Sequence, residues 1–252
     1  MKIGILTLRL FKNYGGILQN YALSRFLQKN GYDVETINIV WSYQLNGVKK
    51  YFVWLKRLVR NMLIGKWYSL DEEKILRNNE LVAAQRVNAF KEKNIPLSQK
   101  VYSLPGADFS DISNKYDTII VGSDQVWRPK YTGGIEKYFL SFADNRIKKI
   151  AYSASFGTDK NEYSFYEKWV CGKLIKRFDA ISVREESAIS LIREQLHWDV
   201  DVIQTLDPTM LLDITDYKSL VGQVANNNKI FVYVLDSSVQ KTSFVEKLEK
   251  KL

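Results

Sequence analysis

Short apolar runs alternate with stretches of helical periodicity along almost the whole chain. The runs occupy residues 3–8, 34–40, 118–122, 147–154, 180–183, 200–203 and 230–235. They are rich in Ile and Val and barely alternate with polar residues, the pattern of strands covered on both faces of a parallel sheet. Between the first two runs Leu18, Ala22 and Phe26 recur at helical spacing, with Leu23 and Leu27 beside them, and Asn30-Gly31 closes the last turn. A second helix is expected over residues 185–196, with an acidic start and Ala188, Leu191, Ile192 and Leu196 on one side. The alternation predicts an α/β fold, a doubly wound, mostly parallel, Rossmann-like sheet. A mixed-sheet α+β fold is the alternative.

Two segments break this rhythm. Residues 41–99 contain no convincing strand, and a basic helical insert is expected over about 45–95. There Tyr51, Phe52, Leu55, Leu58, Val59, Met62 and Leu63 share one side of a helical wheel, opposite Lys49, Lys50, Lys56, Arg57 and Arg60. No acid occurs from residue 36 to residue 70. Such a helix suits an anionic membrane surface or an anionic ligand, and equally an inserted helix with a solvated basic face. The second break is the polar stretch 221–228, with Asn226-Asn227-Asn228, which reads as a linker. The expected division is therefore a domain over 1–225, followed over 226–252 by the first strand and helix of a second Rossmann-like domain.

Composition narrows the class. The chain has 252 residues, 37 Lys+Arg against 28 Asp+Glu, and a net charge of +9. At this length roughly 70–75% of the unfolded surface can be buried. The 46% hydrophobic content and four prolines exclude a disordered or collagen-like chain. The single cysteine, Cys171, cannot form an internal disulfide and is expected to be buried. With one histidine, His197, the chain lacks the ligands of most structural zinc sites, and no metal is expected. The uncharged run 3–8 is too short for a signal peptide, and no window has the length of a spanning helix, so a cytoplasmic protein is expected. Outside the insert the basic residues are scattered, with no nucleic-acid recognition motif, so nucleic acid is not an expected partner.

Ligands of open parallel sheets bind beyond the carboxyl ends of the strands, so the residues after each run carry the candidate chemistry. After the first come Asn13-Tyr14-Gly15-Gly16 and a helix start, a weak signal for close backbone approach to an anion. After 118–121 come Gly122-Ser123-Asp124-Gln125-Val126-Trp127, where Asp124 suits either a general base or a helix cap. Ser155-Phe156-Gly157 follows the fourth run. Arg184-Glu185-Glu186 follows the fifth, and Arg184 suits either an anion clamp or a surface ion pair. Leu206-Asp207-Pro208-Thr209 follows the sixth and reads first as a turn. His197, near a helix end, reads as a solvated or dipole-compensating residue.

Taken together these strings resemble the polysaccharide pyruvyl transferase family. Asn13 to Gln19 with Tyr21-Ala22-Leu23 is similar to its N-terminal signature, and Gly122 to Trp127 with Pro129 to its central motif. Residues 149–157, 182–187 and 206–209 follow in the family's order. The resemblance implies one half of a glycosyltransferase-B-like architecture. It also implies transfer of a pyruvyl group from phosphoenolpyruvate, as a ketal, to a sugar of a surface polysaccharide or its lipid-linked precursor. No cofactor beyond that donor is implied. On this reading Asp124 takes the acceptor-side carboxylate role and Arg184 an anionic group of the donor. Asn13, Tyr14, Gly15, Gly16, Gln19, Ser123, Gln125, Ser155, Gly157, Glu185 and Asp207 line the substrates. The implied donor-binding and acid groups belong to a C-terminal half that the chain only enters, so a truncated, weakly active or inactive fragment is expected. Peripheral contact with an anionic membrane through the helix of residues 49–66 is a further expectation. A nucleotide-sugar-dependent glycosyltransferase of similar fold, or a non-catalytic carbohydrate- or membrane-binding module, are the alternatives.

Overall fold

The computed structural model describes residues 1–11, 13–41, 85–103, 109, 112, 114–221, 230, 232, 234 and 238–249. The chain divides into two compact units, Met1–Leu212 and Asp213–Leu252. The first is built on one parallel sheet of six strands: β1 (Lys2–Leu6), β2 (Asp33–Thr36), β5 (Thr118–Val121), β6 (Lys148–Ala154), β7 (Ala180–Val183) and β8 (Ile203–Gln204). Their spatial order is β2-β1-β5-β6-β7-β8, all parallel. The chain therefore steps from β1 to β2 on one side and resumes with β5 on the other. The carboxyl ends of β1 and β5 flank the point where the winding reverses, the usual crevice of such a sheet.

The side chains explain why these runs lack alternation. In β5, Ile120 joins Ile3, Ile5, Leu23 and Val34 on one face, while Ile119 and Val121 point into the larger core on the other. Helix α1 (Tyr14–Lys29) covers the first face. Asn13 caps its start, accepting from the Gly16 N–H, and Asn30 caps its end before Gly31 at φ +83°. A buried polar contact fixes the helix against β2, where Thr36 Oγ1 donates to Asn20 Oδ1 at 2.8 Å. The other face holds an aromatic cluster. Trp127, fully buried, stacks on Phe139 with centroids 5.0 Å apart, and Phe156, Tyr163 and Trp198 close around them.

The expected single strand over 34–40 is two strands. The Ile37 N–H makes the last bond to β1, donating to Ile5 O, while on the other edge of the strand the Thr36 N–H donates to Pro96 O and its carbonyl accepts from the Ser98 N–H. Ile39–Trp41 (β3) then pairs in parallel with Val101–Ser103 (β4) in a separate two-stranded sheet. The run expected at 200–203 contributes only Ile203 to β8. The second expected helix begins at Glu186 as α3 (Glu186–Ser190) and widens to a π-helical turn over Leu191–Gln195. A helix without a counterpart in the sequence reading, α2 (Phe165–Ile175), follows β6. Most of the basic insert, the stretch 222–229 of the linker and most of the 230–235 run lie outside the described residues, except that 85–94 are helical. The second unit contains helices Ile214–Lys218 and Val239–Glu249. Among the described residues no helix is long and apolar enough to cross a membrane.

Candidate functional site

Four loops at the carboxyl ends of β5 to β8 and the N-terminus of α1 form one hydrogen-bonded ring. At the winding reversal, Asn13 Nδ2 donates to Asp124 Oδ2 at 3.1 Å, while Asp124 Oδ1 accepts from the Gln125 N–H at 2.8 Å. The helical turn after this loop, Pro129–Thr132, has Arg128 at its N-cap, so Asp124 caps no helix there. Its carboxylate is half-buried and faces α1. Gly16 lies against it, and a Cβ at that position would stand 2.7 Å from Asp124 Oδ2. Only glycine lets the helix approach the carboxylate this closely.

Ser155 joins the Asp124 loop to the next one. Its N–H donates to Asp124 O at 3.3 Å, and its carbonyl accepts from the Trp127 N–H at 3.1 Å. The Ser155 hydroxyl donates to Glu185 Oε1 at 2.6 Å and accepts from Arg184 Nη2 at 3.2 Å. The Gly157 N–H, at φ +63°, also donates to Ser155 Oγ, and a Cβ on Gly157 would overlap the Gln125 amide. Ser155 is thus a buried junction, and Gly157 keeps space for Gln125.

Arg184 stands between two carboxylates: its Nε is 3.5 Å from Glu185 Oε2 and its Nη1 3.5 Å from Asp207 Oδ2. The guanidinium is thus an ion-pair partner at the rim and remains partly exposed. Asp207 caps the 3₁₀ turn Pro208–Met210 by accepting from the Thr209 N–H, as its turn reading predicts, and also accepts from Gln19 Nε2. Burial alone would raise the Asp207 pKa. Hydrogen bonds from Thr209 and Gln19, with the Arg184 charge, more than reverse this and hold it below the ordinary aspartate value. Gln19 returns the ring to α1.

The candidates fare differently. Asn13, Asp124, Gln125, Ser155, Gly157, Arg184, Glu185, Asp207 and Gln19 come together. Tyr14 and Gly15 are exposed at the helix start beside them. Ser123 is buried, and its hydroxyl finds no hydrogen-bond partner among the described residues. His197 follows the π-helical turn, exposed at φ +53° with Nδ1 3.3 Å from Arg193 O, and is not one of the residues of the ring. Cys171 is buried, and burial raises its thiol pKa well above the ordinary value.

Three polar residues near the rim were not legible in the sequence. Arg128 grips Glu162 through Nε (3.0 Å) and Nη2 (3.1 Å) and donates to Gln125 Oε1 at 3.2 Å. Lys91, from the helical residues 85–94, donates to Leu10 O at 2.6 Å in the loop after β1. Burial lowers its pKa, and the charge of Arg9 adds to that shift. Among the described residues no three His, Cys, Asp or Glu side chains gather into a metal-holding group.

A parallel α/β sheet with helices on both faces and a winding reversal between β1 and β5 defines the Rossmann-like class of fold. The sequence model of the polysaccharide pyruvyl transferase family matches residues 13–248, and the chain belongs to that family. No curated protein matches. Among solved structures, an alpha-glucosyltransferase in complex with UDP and a 13-mer DNA containing a HMU base is similar, at 12% identity and a TM-score of 0.44. That match covers 89% of this chain and 46% of the other, so the chain spans less than half the length of that structure.

Proposed function

We propose that the ring forms the acceptor side of a pyruvyl transferase, with Asp124 as the general base on a sugar hydroxyl. One observation carries this reading: at the β1/β5 reversal the Asp124 carboxylate is oriented by two donors, Asn13 Nδ2 and the Gln125 N–H. A carboxylate has about four lone-pair positions, so two remain for an incoming hydroxyl. The charge of the ring agrees with a neutral polyol. Asp124, Glu185 and Asp207 set three carboxylates against Arg184 alone. An anionic donor group reaching Arg184 shares it with Glu185 and Asp207, whose 3.5 Å contacts are long for an ion pair. Arg9 and Lys91 add positive charge at the β1 end.

The chemistry then follows from the groups. Protonation of the methylene carbon of phosphoenolpyruvate makes its neighbouring carbon electrophilic. A sugar hydroxyl attacks that carbon while Asp124 takes its proton. A second hydroxyl attacks the same carbon as its bond to the phosphate oxygen breaks. That hydroxyl's proton leaves on the phosphate as hydrogen phosphate, the proton on Asp124 returns to solvent and balances the one added at the methylene carbon, and a cyclic ketal results. Holding acceptor and donor in register supplies much of the acceleration. The lipid-linked form of the acceptor and a cell-envelope polymer as its destination belong to this same proposal.

The test is phosphate release from phosphoenolpyruvate with a sugar acceptor bearing two free hydroxyls. Replacing Asp124→Asn should lower the rate about 10²–10⁴-fold, the usual worth of a positioned base. An unchanged rate in that variant defeats the assignment. Thermal stabilisation by a UDP-sugar and none by phosphoenolpyruvate replaces it with nucleotide-sugar transfer.

A further inference from the structure

Helix α2 leaves three aromatic side chains in solvent. Phe165 is 89% exposed, Tyr166 63% and Trp169 54%. At about 100° per residue, Phe165, Tyr166, Trp169, Lys173 and, just past the helix end, Lys176 fall within an arc of about 100° of the wheel. The opposite flank is buried through Cys171 and Ile175. Lys173 Nζ lies 3.6 Å from the Trp169 ring centroid. The helix has one acid, Glu167, and its carboxylate is turned onto Ser164, accepting from the Ser164 N–H and hydroxyl in a capping box. The outward face therefore carries aromatic rings and positive charge with no negative charge of its own.

We propose that this face seats the protein on an anionic lipid bilayer. Amphipathic aromatic rings partition to the headgroup level, and lysines beside them gain from anionic headgroups. Both features occur here on a single helix flank. Charge decides against the competing occupants. A chain of net charge +9 repels a second copy of itself, and a face bearing Lys173 and Lys176 repels a basic partner. The placement gives the contact a consequence. Three residues before Phe165, Glu162 is clasped by Arg128, which also holds Gln125. Docking through α2 therefore bears, through Glu162 and Arg128, on the loop that carries Gln125. The inference is independent of the pyruvyl-transfer reading, because it is measured on vesicles with no substrate present.

The experiment is cosedimentation of the chain with neutral phosphatidylcholine vesicles and with vesicles containing phosphatidylglycerol. Binding to the anionic vesicles should exceed binding to the neutral ones about tenfold or more, and fall as salt rises from about 0.05 M to about 0.5 M. The double variant F165S/W169S should lose about tenfold or more in binding, and K173E/K176E should remove the preference for anionic lipid. All four positions are exposed, so circular dichroism and the melting temperature should match the parent. Equal binding to both vesicle types overturns the proposal, as does full binding by F165S/W169S. A concentration-dependent dimer that F165S/W169S abolishes also overturns it, by assigning the face to a second copy.

Discussion

Asp124 is reached from three directions, and each contact does something different to its carboxylate. The Gln125 N–H fixes one oxygen through the local turn, Asn13 Nδ2 fixes the other across the sheet reversal, and Gly16 sets how near the helix stands. The Gly16 position gives the sharper test. A methyl group there meets Asp124 Oδ2 at 2.7 Å, closer than carbon and oxygen tolerate, so either the carboxylate rotates or the helix start retreats. Alanine is also the better helix former, worth up to about 1 kcal/mol over glycine. Gly16→Ala should therefore leave the melting temperature near the parent value while turnover or acceptor binding drops about tenfold or more. The two effects separate because propensity acts on α1 and displacement acts on Asp124. Unchanged acceptor binding, read by saturation-transfer NMR, would show that the carboxylate is not the feature that matters.

At the scale of elements, α1 both packs the fold and builds the site, and Asn13 performs each task with a different atom. Its Oδ1 accepts from the Gly16 N–H at 3.2 Å, while its Nδ2 donates to Asp124. Asn13→Ala removes both and should cost about 1 kcal/mol of stability, the ordinary worth of an N-cap. Asn13→Ser keeps a capping oxygen and lacks the amide, so its stability should stay near that of the parent while activity falls as in the alanine variant. Denaturant melts paired with turnover distinguish the two. Strands β1, β5, β6 and β7 were legible because both of their faces are covered, which leaves stretches such as residues 119–121 apolar without alternation. The break between β2 and β3 was not, because an apolar run does not say which neighbour each residue pairs with. β4, with only Val101-Tyr102-Ser103, is too short and mixed for any period to register. The rim residues were legible through their place after each run and through the family resemblance. Their partners were not: Gln19 meets Asp207 across 188 positions, a distance only tertiary folding closes.

For the whole molecule, charge sets the conditions under which these loops hold together. At +9 the chain carries net self-repulsion, which grows in acid as carboxylates protonate. One ion cluster opposes this at the rim, where Glu162 accepts from Arg128 at 3.0 and 3.1 Å and from Lys130 at 2.8 Å, joining the loop after β5 to the approach to α2. Those hydrogen bonds, from Arg128 first and then Lys130, hold the Glu162 pKa down at about 2 against an ordinary value of 4.5. A carboxyl depressed in the folded state binds fewer protons there than in the unfolded chain. Its stabilising contribution is therefore complete above about pH 4.5 and is lost as the pH falls toward 2. Glu162→Gln removes the titration and retains an oxygen that accepts from Arg128. The variant should be less stable than the parent at pH 7, and the gap between the two melting temperatures should narrow steadily between pH 4.5 and pH 2. Added salt should narrow the same gap at pH 7 in part, because it screens the exposed Lys130 contact and acts weakly on the more shielded Arg128 contact. Melting curves that stay parallel across the acid range would mean that the clasp between Arg128 and Glu162 does not couple the two loops, and the α2 face would then be free to move relative to Gln125.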